Sequence, residues 1–318
     1  SNNVIKTIMK LLKISIIVIV SIIGFYSIFL MVSDVNIVAE KLLNQKIEFY
    51  LTIFSLVTFG WFILFTRWHL LLKNSNIHIP IKTSFLIYIS GFALALIPGE
   101  IGDFVKVQIL KEQFNIPRTK TSGIIISEWF YTALGLVILS IIGIIYFEIS
   151  GFIGIAFGVV LSLLICLINS EKLFFRFITI TNKIKILSRI TEAVPESYEI
   201  IKKSTRGKIA IISSLLSISF WLVESTTAYF IIRAFDITKI EFLQIIPMYT
   251  SAIILGFVSF LPLGTGVVEG TLTGFLNYYG VDITMALAII IIIRLFTRWY
   301  PIIIGFIALK KNGGFKIN

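Results

Sequence analysis

Charge is what this chain has least of. Only 14% of its 318 residues are Asp, Glu, Lys or Arg, while 57% are hydrophobic. A water-soluble domain of this size needs nearer a quarter of its residues ionised to clothe its surface. The single cysteine, Cys166, excludes an internal disulfide framework and a thiolate metal cluster; lying in an apolar run, it is expected to be a small buried hydrophobe. The two histidines, His69 and His78, have no Cys or carboxylate neighbours at ligand spacing, so no metal or other cofactor is expected. A G-x-x-x-x-G-K-[ST] phosphate loop is missing as well, which removes the usual device for driving work with ATP.

What the chain has instead is unbroken apolar sequence. Runs over Leu11 to Val32, Phe49 to Leu72, Ser122 to Phe147, Gly151 to Asn169, Ile209 to Ile232 and Thr284 to Leu309 approach or exceed the roughly 20 residues that cross about 30 Å of hydrocarbon. Two further runs are interrupted. Ser84 to Leu96 ends at Pro98 and Gly99, and Phe242 onward is broken by LPLGTG at 261–266 before a short run ending near Tyr279. Each is read as a hairpin that enters and leaves on one side, spanning 84–111 and 242–279. The fold class is therefore all-α: a polytopic transmembrane helical bundle with two broken or re-entrant helical hairpins.

The basic residues orient the bundle. With both hairpins re-entrant, about 20 of the 28 Lys and Arg fall on the same side as the N-terminus, the pattern of cytoplasmic loops. Lys6, Lys10 and Lys13 before the first run suit a retained signal anchor. The expected arrangement is a multi-pass protein of the plasma membrane with both termini cytoplasmic. Its formal net charge of +11 then reflects topology and attraction to anionic headgroups, not nucleic-acid binding.

This threading divides one membrane domain into a signal-anchor helix and outer loop (1–48), repeat one (49–150), a linking helix with a basic cytoplasmic segment (151–208), repeat two (209–309) and a basic tail (310–318). Segment 170–208 holds nine Lys or Arg and four Glu and fits either a helix in the headgroup layer or an ordinary basic loop. Span, hairpin, span occurs twice with opposite orientation, so the repeats are inverted. Interrupted helices in inverted repeats are a transporter plan, because unwound backbone survives in a membrane only when buried in protein or lining a polar cavity.

Ionisable residues inside the apolar portion carry the functional signal: Glu100, Asp103, Lys106, Glu128, Glu224, Glu269, Arg294 and Arg298, with Arg67 nearer an end. Each costs about 2.5–3.5 kcal/mol at a bilayer centre on insertion scales, so the set implies pairing, a water-filled cavity, or both. On a helix beginning after Gly99, Glu100, Asp103 and Lys106 share a face, as do Arg294 and Arg298. The two sets are expected to meet across the interface between repeats. Two always-charged guanidiniums suit a phosphate, and the glycines at 264 and 266 can bring backbone N–H groups to the same anion. Lys106 and Arg67 are expected to snorkel toward a headgroup. Trp129, Trp221 and Trp299 receive no role.

Taken together, SGFALALIPGEIGDFVKVQILKE, SEWFYTALGLV, FLPLGTGVVEGTLTGFLNYYGVD and IIIRLFTRWYPIIIGFIAL resemble the lysylphosphatidylglycerol synthase transmembrane region, the membrane part of multiple peptide resistance factors. The resemblance runs from about Phe49 to Leu309. It rests on Pro98, Gly102, Asp103, Lys106, Glu128, Pro262, Gly264, Gly266, Glu269 and Arg294. It implies a flippase-like lipid translocase, since full-length relatives move aminoacylated phosphatidylglycerol between leaflets and stand-alone members are linked to polyprenyl-phosphate sugars and other glycolipids. The expected headgroup cavity comprises Glu100, Asp103, Lys106, Glu128, Gly264, Gly266, Glu269, Arg294 and Arg298, with Pro98, Gly99, Gly102 and Pro262 breaking the helices. No aminoacyl-transferase domain is present in this sequence, so it is not expected to be an enzyme. The alternatives are a membrane-embedded enzyme on a lipid phosphate or sugar, with Asp103 or Glu269 as base, and a non-transporting partner subunit. Expected partners are membrane lipids, a second copy in a homodimer, and a lipid-modifying synthase or glycosyltransferase.

Overall fold

A computed structural model of the chain describes residues 35–95, 102–146, 148–172 and 194–312. The Leu11 to Val32 run, the hairpin break at Pro98, Gly99 and Glu100, and most of the basic segment 170–208 lie outside the described residues. The described elements are helices joined by short connections: α1 (Val35–Leu43), α2 (Ile47–Asn74), α3 (Ile81–Leu94), α4 (Phe104–Phe114), α5 (Arg118–Ile145), α6 (Glu148–Asn169), α7 (Val194–Ser204), α8 (Gly207–Ala234), α9 (Phe242–Val258), α10 (Val267–Tyr278) and α11 (Ile283–Lys311). Among them α2, α5, α8 and α11 are long and apolar enough to cross a membrane. The other apolar helices are shorter, α3 and α9 among them, as expected for half-crossings that turn back.

Loop contacts define the two ends of the bundle. At one, Lys41 Nζ meets Asp236 Oδ2 at 2.6 Å and Gln45 donates to the Ala234 carbonyl. At the other, Asn74 donates to the Lys203 carbonyl and Gln113 to that of Asn312. The second end carries Lys73, Arg118, Lys120, Lys202, Lys203, Lys208, Lys310 and Lys311, whereas at the first Lys41, Lys46, Arg233 and Lys239 are balanced by Glu40, Glu48, Asp236, Glu241 and Asp282. Hairpin one (α3–α4) starts from the basic end and hairpin two (α9–α10) from the opposite one, which makes the two halves, α2–α5 and α8–α11, inverted copies in topology.

The halves are clasped. The opening helices α2 and α8 lie against each other, with Phe220 packed on Gly60. The outgoing arm of each hairpin packs on the closing helix of the opposite half: α3 on α11, and α9 on α5. The returning arms α4 and α10 stay with their own closing helices, α5 and α11. At the α3–α11 crossing a side chain on Gly305 would run into the backbone of Phe92 and Ala93. Close backbone approach through small residues is how helices associate where no water drives them together.

Outside this clasp, α6 packs on α5 and α9 by one face and presents Ile149, Phe152 and Leu163, each more than half exposed, on the other. Cys166 is exposed on this helix, correcting its expected burial. The reason is that a helix at the rim of a bundle has only one packed face, and an apolar run does not reveal which residues lie on it. Helix α7 folds back along α5, where Tyr131 donates to the Ser204 carbonyl at 2.7 Å and Ser197 to that of Thr119 at 2.7 Å. Part of the basic segment is thus neither headgroup helix nor loose loop but a brace on the end of α5.

Candidate functional site: a charged cavity between inverted halves

The break in hairpin two is built by backbone that L-residues avoid. In hairpin two, Phe260 and Leu263 have positive φ (54° and 53°), as do Gly264 (65°) and Gly266 (88°). Left-handed conformation at a bulky residue is unfavourable by about 1–3 kcal/mol and persists only when its surroundings fix it. Here the Leu263 carbonyl accepts from Nη2 of Arg294, whose Nε donates to Glu269 Oε1 at 2.8 Å. Glu269 Oε2 in turn accepts from the Gly266 N–H at 2.6 Å. One buried pair therefore caps α10 and pins the break. In hairpin one the corresponding constraint is steric, since a Cβ on Gly102 would overlap the Leu94 carbonyl.

Helix α4 begins at Phe104, with Asp103 just before it. Its Lys106, only 2% exposed, reaches Glu128 Oε2 of α5 at 2.9 Å and Asp103 Oδ1 at 3.1 Å. The ammonium also lies 4.8 Å from the centre of the Trp68 ring and 5.3 Å from that of Tyr88, a cation–π slot that offsets part of its lost hydration. Asp103 accepts a second bond from Trp129 Nε1 at 3.2 Å. Across the cavity, Glu224 Oε2 of α8 holds Arg298 Nη1 at 3.2 Å and accepts from the Tyr249 hydroxyl at 2.9 Å. Around Arg298 the helix α11 widens into a π-turn over Leu295–Trp299. Pro301 has no N–H to offer the preceding turn, and Arg298 Nη1 donates to the Thr297 carbonyl at 3.0 Å.

Between these groups lies a cavity of about 250 Å³. Its walls come from both halves and include Arg67, Asp103, Lys106, Glu128, Arg294 and Arg298. The partly exposed side chains among the paired charges are Asp103 at 27% and Arg298 at 18%; Lys106, Glu128, Glu269 and Arg294 are all at 4% or below. The apolar rim includes Phe257, Phe260 and Leu261, all exposed at the tip of hairpin two.

Of the expected residues, Asp103, Lys106, Glu128, Gly264, Arg294 and Arg298 line the cavity, Glu269 and Gly266 do not, and the pairing differs from that expected. The two charged sets do not bond to one another: Lys106 is satisfied by Asp103 and Glu128, and Arg294 by Glu269. Arg294 and Arg298 share the cavity wall, yet Arg294 is committed to its own half. The Gly264 and Gly266 N–H groups are also occupied, by the Leu261 carbonyl and by Glu269, so neither is offered to an anion. Lys106 and Arg67, each 2% exposed, do not snorkel. Their cations are bought out of water by carboxylates, hydroxyls and aromatic faces within reach, an alternative that sequence position does not display. Sequence reasoning assigned no cavity role to Trp129, Glu224, Tyr249 or Arg67. Glu224 and Arg67 were visible as intramembrane charges, whereas nothing in the local sequence marks Trp129 or Tyr249.

The family described as the lysylphosphatidylglycerol synthase TM region matches residues 12–305. A UPF0104 membrane protein of Methanocaldococcus jannaschii is 25% identical over 222 residues, 67% of this chain and 91% of that protein. One from Pyrococcus horikoshii is 22% identical over 301 residues, covering 86% and 90% of the two chains. One from Methanothermobacter thermautotrophicus is 27% identical over 143 residues, covering 45% and 41%. With four apolar helices of spanning length, a re-entrant hairpin in each half and a family match over nearly its whole length, this membrane protein belongs to the lysylphosphatidylglycerol synthase TM region family.

Proposed function

We propose that the protein is a lipid translocase: the phosphate of an anionic or aminoacylated phospholipid, or of a polyprenyl-phosphate-linked glycolipid, enters the cavity while the acyl or prenyl chains stay in the bilayer. The observation that carries this reading is the pairing of a charged interior with an apolar, exposed rim at the tip of hairpin two. The two parts of a lipid call for those two environments. Arg298 is the first contact for the phosphate, because its guanidinium is partly exposed and keeps donors beyond those used on Glu224 and Thr297. Asp103 on the facing wall takes any ammonium the headgroup carries.

Charge balance supports transit over permanent binding. Arg67, Lys106, Arg294 and Arg298 on the wall face Asp103, Glu128 and Glu224, and Glu269, which pairs with Arg294 from behind the wall, brings the described network to neutrality. A network without net charge holds a phosphate through a few directed bonds and releases it. The concentration of Lys and Arg at one end supports a cytoplasmic setting for that end, with the plasma membrane as the proposed site of action.

Mutual pairing of Lys106–Glu128 and Glu269–Arg294 supports a second reading, a non-transporting partner subunit whose charges only hold the halves together. Reconstitution separates the two. Liposomes containing the protein and a fluorescent phosphatidylglycerol, phosphatidylethanolamine or polyprenyl phosphate are treated with an impermeant quencher. A translocase makes the inner-leaflet pool accessible within minutes for at least one of them. Unchanged accessibility for all three would overturn the proposal in favour of the second reading.

A further inference from the structure

We infer that Arg67 forms a second phosphate station, deeper in the cavity than Arg298 and nearer the basic end. The inference rests on the translocase reading for its role in transport but not for its binding chemistry.

Arg67 is a buried guanidinium that its surroundings leave undercompensated. It lines the cavity and is 2% exposed, yet its hydrogen-bond partners are neutral: Nη1 donates to Ser217 Oγ at 2.7 Å and Nη2 to Thr132 Oγ1 at 3.0 Å. The carboxylate within ion-pair range, Glu128, is 3.9 Å away through Oε1, beyond hydrogen-bond reach. Its other oxygen is already held by Lys106 at 2.9 Å. The Nε–H of Arg67 is buried with no partner among the described residues. An arginine does not shed its proton to escape such a setting. A buried charge paired at this length, with an idle donor beside it, is a cation prepared for an anion that comes and goes.

The position suits a hand-over. Arg67 belongs to α2 of the first half, its hydroxyl partners to α5 and α8, so the station sits on the seam between the halves. Helices α2 and α11 both run toward the basic end and stop at Asn74 and Lys311. At ~1.5 Å per residue, Arg67 lies about 10 Å from its helix end and Arg298 about 20 Å, so the two guanidiniums are offset by about 10 Å along the bundle. A phosphate released by Arg298 thus has a second fork to reach on its way to the cytoplasmic side. Ser217 and Thr132 each engage one Nη group, so the guanidinium keeps three further N–H donors, Nε–H among them, for a ligand that displaces its neighbours.

The test uses the full chain in detergent, titrated with dihexanoyl phosphatidylglycerol and separately with inorganic phosphate, with binding read from ligand-induced thermal shift and tryptophan fluorescence. Flipping is measured in parallel in liposomes. Arg67→Lys retains the cation and a folded protein but loses the planar fork; Arg67→Gln loses both. The expected result is weaker lipid binding by about tenfold for Arg67→Lys and more for Arg67→Gln, with flipping slowed at least as much. Competition by inorganic phosphate identifies the phosphate group alone as the ligand; binding of the short-chain lipid without such competition identifies the lipid headgroup. Both outcomes uphold the station. Wild-type affinity and wild-type flipping in Arg67→Lys would overturn it and leave the translocase reading intact. Lipid binding that depends on Arg67 in a protein that flips nothing would do the reverse.

Discussion

The two halves solve one problem with opposite charges. In the first, the returning arm of the hairpin supplies the cation, Lys106, and the closing helix the anion, Glu128; in the second, the returning arm supplies Glu269 and the closing helix Arg294. Both members of the buried pair sit at equivalent places, the third residue of α4 or α10 and the middle of the helix that follows, 22 and 25 residues apart. What the inverted architecture preserves is a pair at that place, not a residue type. The difference lies in what each pair does besides. Arg294 and Glu269 tie down unwound backbone at Leu263 and Gly266, whereas Lys106 and Glu128 sit among aromatics and beside the more exposed Asp103. The second pair fixes a helix break and the first lies against the cavity, whose walls come from both halves.

Breaking the second pair should therefore cost most. Arg294→Ala leaves Glu269 buried and uncompensated and frees the Leu263 carbonyl, so thermal unfolding in detergent should show a loss of about 3–5 kcal/mol. Lys106→Ala should cost less, because Arg67 still lies 3.9 Å from Glu128 and no helix break depends on the pair. Exchanging the charges sharpens the contrast. The swap Lys106→Glu with Glu128→Lys should recover part of the single-variant losses, a coupling of about 1–3 kcal/mol in a double-mutant cycle. The swap Glu269→Arg with Arg294→Glu should recover almost nothing, since the Gly266 N–H would face a donor. Equal recovery in both would erase the proposed distinction.

The hairpin seats offer a steric version of the same comparison. Gly305→Ala presses on the backbone of Phe92 and Ala93 and should destabilise by about 1–3 kcal/mol, seen as a lower melting temperature. Gly270→Ala on α10 meets nothing within 4 Å and should stay within about 0.5 kcal/mol of wild type, or gain slightly from helix propensity.

Hydropathy and the two proline–glycine interruptions anticipate the four long helices among the six expected spans, the arms of both hairpins and their opposite senses, because lipid imposes length and apolarity directly on sequence. The pairing inside the cavity was much less legible. Spacing along a helix identifies neighbours such as Asp103 and Lys106, three apart, and that pair forms. It is silent on partners contributed by another helix, such as Glu224 with Arg298, or Arg67 with Ser217, 150 residues away. Arg67 was also set aside for lying near a span end, where long basic side chains ordinarily reach water; the clasp of α2, α5 and α8 closes over it instead.

That clasp has a consequence for how the protein is made. Hairpin one seats on α11, which leaves the ribosome about two hundred residues after α3, an interval of roughly 10–40 s at ~5–20 residues per second. Throughout that time hairpin one stands in the membrane without the helix on which it seats. A chain cut between the halves would leave each hairpin resting on a surface that belongs to the other piece, so assembly is completed only when the last helix arrives.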